Sequence, residues 1–182
     1  TWACLILIVS GLVSFISLSR LSLTFDEVKY APAGYDFLHS REVRIDQEAP
    51  PLAKALVSLP LFLLDVRVPE VHPQLDRIGF GSGWQFFFRN NVPAPKLTFY
   101  GRITSVLAGL VLALILFVWA KRSFGPEAAL ICCFFFLTEP LFRAMTALGT
   151  TDIFIACFIA VSYYFLEGSS QRKKLSIELI LS

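Results

Sequence analysis

Residues 103–120 carry no charge between Arg102 and Lys121, and that run constrains the chain more than any other feature. A helix needs about 20 mostly apolar residues to cross a bilayer, with a range of about 17–25. Residues 1–19 form a second run, uncharged as far as Arg20. Two weaker stretches follow at about 126–143, interrupted by Glu139, and about 150–166, near Asp152. Only 16% of the residues are charged and 55% are hydrophobic, against about 25% and about 45–50% in globular proteins. The sequence predicts an all-α polytopic membrane protein, with spans at about 1–19, 98–120, 126–143 and 150–166. Between the first two lies a long loop, about 20–97.

The remaining composition narrows the function classes. A net charge of +2 with no basic stripe excludes a nucleic-acid partner. Cys4, Cys132, Cys133 and Cys157 all sit inside apolar runs, so they read as small buried hydrophobes and not as a disulfide or metal framework. The chain opens at Thr1 inside an apolar run and stops in another, Leu175 to Ser182. It reads as a piece of a longer protein. A cleaved signal peptide fits less well, since the first run lacks a small-residue cleavage site.

The long loop holds shorter signals. Pro50-Pro51 precedes LAKALVSLPLFLL, too short for a span and suited to an interfacial helix, with Pro51 in its first turn. Residues 27–39 suggest a second interfacial helix, broken near Pro32. GFGSGWQFFFRNN offers glycines for turns and aromatics for the interface. Orientation follows from Lys121-Arg122 and from Arg172, Lys173 and Lys174, which a four-span plan places on one side. The loop 20–97 and the Glu139–Asp152 region then share the opposite, outer face.

That topology collects ionisable groups on the outer face. Asp26-Glu27 follows the first helix closely. The pair reads either as two solvated acids or as a carboxylate serving as general base or metal ligand. Asp152, in LGTTD, is either a helix N-terminal acid behind a Thr cap or a second carboxylate facing the first. Arg102 either snorkels or holds a phosphate or carboxylate. Glu139 and Arg143, one helical turn apart, can pair. His39 and His72 have no ligand spacing and read as loop residues.

The segments FDEVKYAPAGYDFL, RIDQEAPPLAKALVSLPL, GRITSVLAGLVLALILFVWAKRSFGPEAAL and TTDIFIACFIA, in that order, resemble the N-terminal part of glycosyltransferase family 39. That family includes protein O-mannosyltransferases and lipid A aminoarabinose transferases. The resemblance implies a GT-C helical bundle whose long first outer loop bears interfacial helices. It also implies sugar transfer from a polyprenyl-phosphate donor to a protein or lipid acceptor on the outer or luminal face. The membrane would be a bacterial inner membrane or the endoplasmic reticulum. By the same resemblance Asp26 is the leading catalytic residue, with Glu27 beside it, and Glu48, Arg102 and Asp152 bind donor phosphate or acceptor. A divalent cation, shared by Asp26 and Asp152, is left open as a cofactor. Tyr30 and Ala49 stand where many relatives carry histidine. A transporter and a non-catalytic membrane subunit are the competing readings.

Overall fold

A computed structural model describes residues 2–71 and 79–181, with side chains described through Gly168. The elements are α1 (Trp2–Leu18), α2 (Phe25–Ser40), α3 (Pro51–Ser58) running into a 3-10 turn (Leu59–Leu63), α4 (Phe80–Phe88), α5 (Ala94–Phe124), α6 (Pro126–Thr138), α7 (Pro140–Ala147) and α8 (Asp152–Leu181). No strand occurs among the described residues. His72 lies outside them.

Helix α5 is the axis of the molecule, and α1, α3, α6, α7 and α8 all pack on it. Its 31 residues give a length of about 46 Å at about 1.5 Å per residue, well beyond a hydrocarbon core of about 30 Å. Among the described residues α5 is the one helix long and apolar enough to cross a membrane unbroken. Helices α6 and α7 pass the same test only as a pair, bent by 63° between them. The expected third span is therefore broken at Glu139-Pro140. Pro140 opens α7, and Glu139 caps it by accepting the Phe142 amide at 2.6 Å. Glu139 is thus engaged with its own helix, and the expected Glu139–Arg143 ion pair does not form.

Helix α1 has 17 residues, at the lower limit for a crossing. It exposes Leu5, Ile8, Leu12, Phe15 and Ile16. Helix α5 exposes Leu107, Val111 and Leu114, and α8 exposes Ile155, Ile159 and Phe165. Helices apolar on their outward faces suit a hydrocarbon surround. Helix α8 continues through residues 172–174 and on to Leu181, where the sequence suggested a loop after residue 166.

The segment between α1 and α5 is folded against the bundle, not loose. Helix α2 is continuous through Pro32, contrary to the expected break. Pro32 supplies no N–H for the Val28 carbonyl, and α4 approaches that carbonyl directly. A Cβ added to Gly83 would lie 2.1 Å from it. The glycine-rich stretch expected to form turns is thus helix α4, whose bare glycine backbone permits this contact; Gly79, at φ +77°, starts the helix. Helices α2 and α3 cross as closely. A Cβ on Gly34 would come within 1.9 Å of the Lys54 carbonyl oxygen, and Ser58 donates to the Ala31 carbonyl at 2.7 Å.

Candidate active site

The centre of the site is a buried ion pair that links four parts of the chain. Thr24 caps α2, and Glu27, three residues on, reaches back to accept the Thr24 amide at 2.9 Å and hydroxyl at 2.8 Å, the reciprocal half of a capping box. The same carboxylate meets Arg102 from α5. Arg102 Nε lies 2.6 Å from Oε1 and Nη2 lies 2.7 Å from Oε2. The Gly149 amide, between α7 and α8, donates to Oε1 at 2.8 Å. Burial opposes the charge on Glu27, but Arg102, the Gly149 amide and the Thr24 amide outweigh it and hold the carboxyl below its usual range.

Arg102 is fully buried and completely engaged. Beyond Glu27, Nη1 donates to the carbonyls of Leu18 and Leu21 at 2.8 Å each, and Nη2 donates to Ser22 at 2.7 Å. A guanidinium has five N–H groups, and the two contacts to Glu27 and three to carbonyls occupy them all. Leu18 is the last residue of α1, where the helix dipole favours a cation, and Leu21 and Ser22 lie in the turn that follows it. The phosphate-binding role expected for Arg102 finds no free donor. This guanidinium instead positions the chain around it.

Asp26, adjacent to Glu27, has the opposite character. Its side chain is half exposed and lies 3.5 Å from Lys29 Nζ, one turn along α2. The Lys29 side chain is only 13% exposed, and its ammonium stands over the rings of Phe25 and Tyr30. The Tyr30 hydroxyl lies near Thr151. Burial, then the charge of Asp26, raises its phenol pKa, so the hydroxyl stays protonated near neutrality. Glu27 thus fastens one side of α2 to Gly149, and Tyr30 approaches the neighbouring Thr151.

Two further ion pairs flank this face, and the sequence reading did not single them out. Asp46 and Lys54 are buried together, with Lys54 Nζ 3.2 Å from Oδ2 and also bonded to the Asp46 carbonyl. Burial lowers the Lys54 pKa despite Asp46. Asp46 Oδ1 and Thr150 Oγ1 are buried without a hydrogen-bond partner. Asp46 and Lys29 lie on either side of Gly79, whose added Cβ would be 3.2 Å from both of their Cβ atoms. Buried Asp36 takes a two-armed bond from Arg44. A lysine inside the apolar run of α3 was the available signal for the first pair. Glu48, expected at the site, is exposed, and Asp46 is the acid of that loop that turns inward. Asp152 is exposed at the first position of α8, next to buried Thr151. Among the described residues no three His, Cys, Asp or Glu side chains cluster to hold a metal ion, so no step is assigned to one.

The matched region is similar to a family of glycosyltransferases. More particularly, residues 96–181, just under half of the chain, match the family described as dolichyl-phosphate-mannose-protein mannosyltransferase. The match takes in α5 to α8, with Arg102, Gly149 and Asp152, and bears out over that stretch the resemblance read from the residues. Helix α2, with Asp26 and Glu27, lies before it. No curated protein and no solved structure matches the chain.

Proposed function

We propose that the chain forms the catalytic end of a membrane glycosyltransferase that moves a sugar from a polyprenyl-phosphate donor to a protein or lipid acceptor at the outer or luminal face. The observation that carries this reading is the contrast between two neighbouring acids. Glu27 is buried and accepts five hydrogen bonds, whereas Asp26 is half exposed and carries only a loose contact to Lys29. The family match to α5–α8 supplies the reaction class.

On this reading Asp26 is the general base. Its carboxylate takes the proton from the acceptor hydroxyl as that oxygen bonds to the anomeric carbon. The bond from that carbon to the lipid phosphate breaks, and the phosphate leaves with its electron pair. A general base must come within about 2.6–3.2 Å of the proton's oxygen, which a half-exposed carboxylate permits and a saturated one does not. The leaving phosphate needs a cation. Arg102 has no N–H left for it, so Lys29 takes that part. Asp152, following Thr151, serves acceptor orientation. Four membrane crossings, formed by α1, α5, the α6–α7 pair and α8, put this face outside and leave the 121–122 and 172–174 clusters inside.

The decisive experiment is Asp26→Asn, assayed with a lipid-linked sugar donor in the membrane-extracted protein. Turnover is expected to fall by about 10²–10⁴-fold with an unchanged thermal transition. Turnover like the parent's overturns the assignment. Lys29→Gln tests the second role. Loss of one stabilising group at a developing oxyanion is expected to lower kcat by about 10²–10³-fold, and an unchanged kcat would return the phosphate to another cation.

A further inference from the structure

A groove runs along the face of α1 that carries its serines. Its upper part is a cavity of about 500 Å³ between the end of α1 and α7, lined by Ser14, Ser17, Ser22, Thr24 and Arg143 among others. Its lower part, about 260 Å³, lies between α1 and α6 and is lined by Leu5, Val9, Val13, Phe134 and Leu137, again with Arg143. Arg143 is the cation common to both parts. It is exposed, and its guanidinium takes no hydrogen bond or ion pair among the described residues. No carboxylate lines either part. Asp26, Lys29, Tyr30 and Asp46 line neither, so this groove is separate from the reacting face.

We propose that the groove holds one anionic phospholipid of the surrounding bilayer, with its phosphate on Arg143 and one acyl chain laid along α1. The lining of the groove is amphipathic as such a lipid is. Apolar side chains make up most of both parts, and the free Arg143 guanidinium with the hydroxyls of Ser14, Ser17, Ser22 and Thr24 above and of Ser10 and Thr138 below supplies the polar contacts. Ser10, Ser14 and Ser17 share a helix face at spacings of four and three residues, so polar contacts run the length of the groove. The depth agrees as well. From Ser17 back to Leu5 is about 18 Å at about 1.5 Å per residue, close to the half-thickness, about 15 Å, of a core of about 30 Å. An ordinary acyl chain fills that length. The headgroup charge follows from the lining, because an unpaired guanidinium matches a phosphate while the groove offers no acid to a choline or ethanolamine cation. The proposal rests on the membrane reading above and not on the catalytic role of Asp26.

Native mass spectrometry of the membrane-extracted protein tests it, with phosphatidylglycerol and phosphatidylcholine as probes. One phosphatidylglycerol is expected to bind in preference to phosphatidylcholine. Arg143→Gln should weaken it about fivefold, as about 1 kcal/mol per basic residue near an anionic surface implies, and Arg143→Lys should restore most of the affinity. Val9→Trp, which fills the lower part and keeps the arginine, should weaken binding of both lipids. Equal affinity for the two headgroups, or unchanged binding by Arg143→Gln, overturns the proposal. So does cross-linking of Val9→Cys to another segment of the protein, which would show the groove covered by protein. Displacement of the phospholipid by a polyprenyl phosphate at equal concentration would assign the groove to the donor and overturn it too. Sugar-transfer activity is a separate readout, so failure here leaves the test of Asp26 intact.

Discussion

Glu27 and Arg102 show how little adjacency says about role. Asp26 and Glu27 are neighbours and chemically alike, yet one is saturated by five donors and the other faces outward. Replacing Glu27 by Gln leaves a buried guanidinium without its counter-charge, a change that costs about 3–5 kcal/mol. The expected result is a large drop in the thermal transition with loss of activity secondary to it, whereas Asp26→Asn should lose activity alone. The sign of the pH effect follows from the depressed Glu27 pKa. Its stabilising contribution is complete above the ordinary value of 4.5 and is lost as pH falls through the lower folded value. Unfolding followed by circular dichroism should therefore show an acid-side destabilisation that Glu27→Gln removes. The sequence made both residues visible as candidates, but not their partnership, which joins residues 75 positions apart. Local pattern carries no information about contacts at that range.

At the scale of the element, legibility followed periodicity and charge. Helix α5 was evident because its uncharged run matches the thickness of a bilayer, and the interfacial helix at Pro51 because proline is at home in a first turn. Two elements depart from the sequence expectation for one shared reason. Pro32 predicts a break and the glycines of α4 predict turns, since proline and glycine usually interrupt helices. Together they form one contact, in which the carbonyl released by Pro32 is met by Gly83. A tertiary contact overrode two local preferences, and neither residue alone announced it. Gly83→Ala should push α4 away from α2 at a cost of about 1–3 kcal/mol. Gly101→Ala, within α5, is the control. Its added Cβ meets only Val57 Cγ1 at 3.9 Å, so it should be neutral or stabilising by up to about 1 kcal/mol. Thermal unfolding of the two variants side by side checks the contrast. A Gly83→Ala protein as stable as the parent would mean that α4 does not need this close approach.

For the whole molecule, α5 does two jobs along its length. Its middle carries the apolar run that fits hydrocarbon, and its first turns carry Arg102, around which α1, α2 and the 149–151 segment converge. The face proposed for catalysis is thus fixed to the one described helix long and apolar enough to cross a bilayer unbroken. The order in which the chain is made adds a consequence. The carbonyls of Leu18, Leu21 and Ser22 are synthesised long before the guanidinium that joins them, 80 to 84 residues later, and the Gly149 amide comes later still. The early part of the protein therefore leaves the ribosome with this joint unmade, and α2 has only α3 and α4 to pack on until residue 102 follows. Biogenesis closes this joint in stages: residue 102 first draws α1 and α2 together, and residue 149 then seals them. Ribosome-arrested chains stopped between these two points should hold α2 in a protease-sensitive form that longer chains lose.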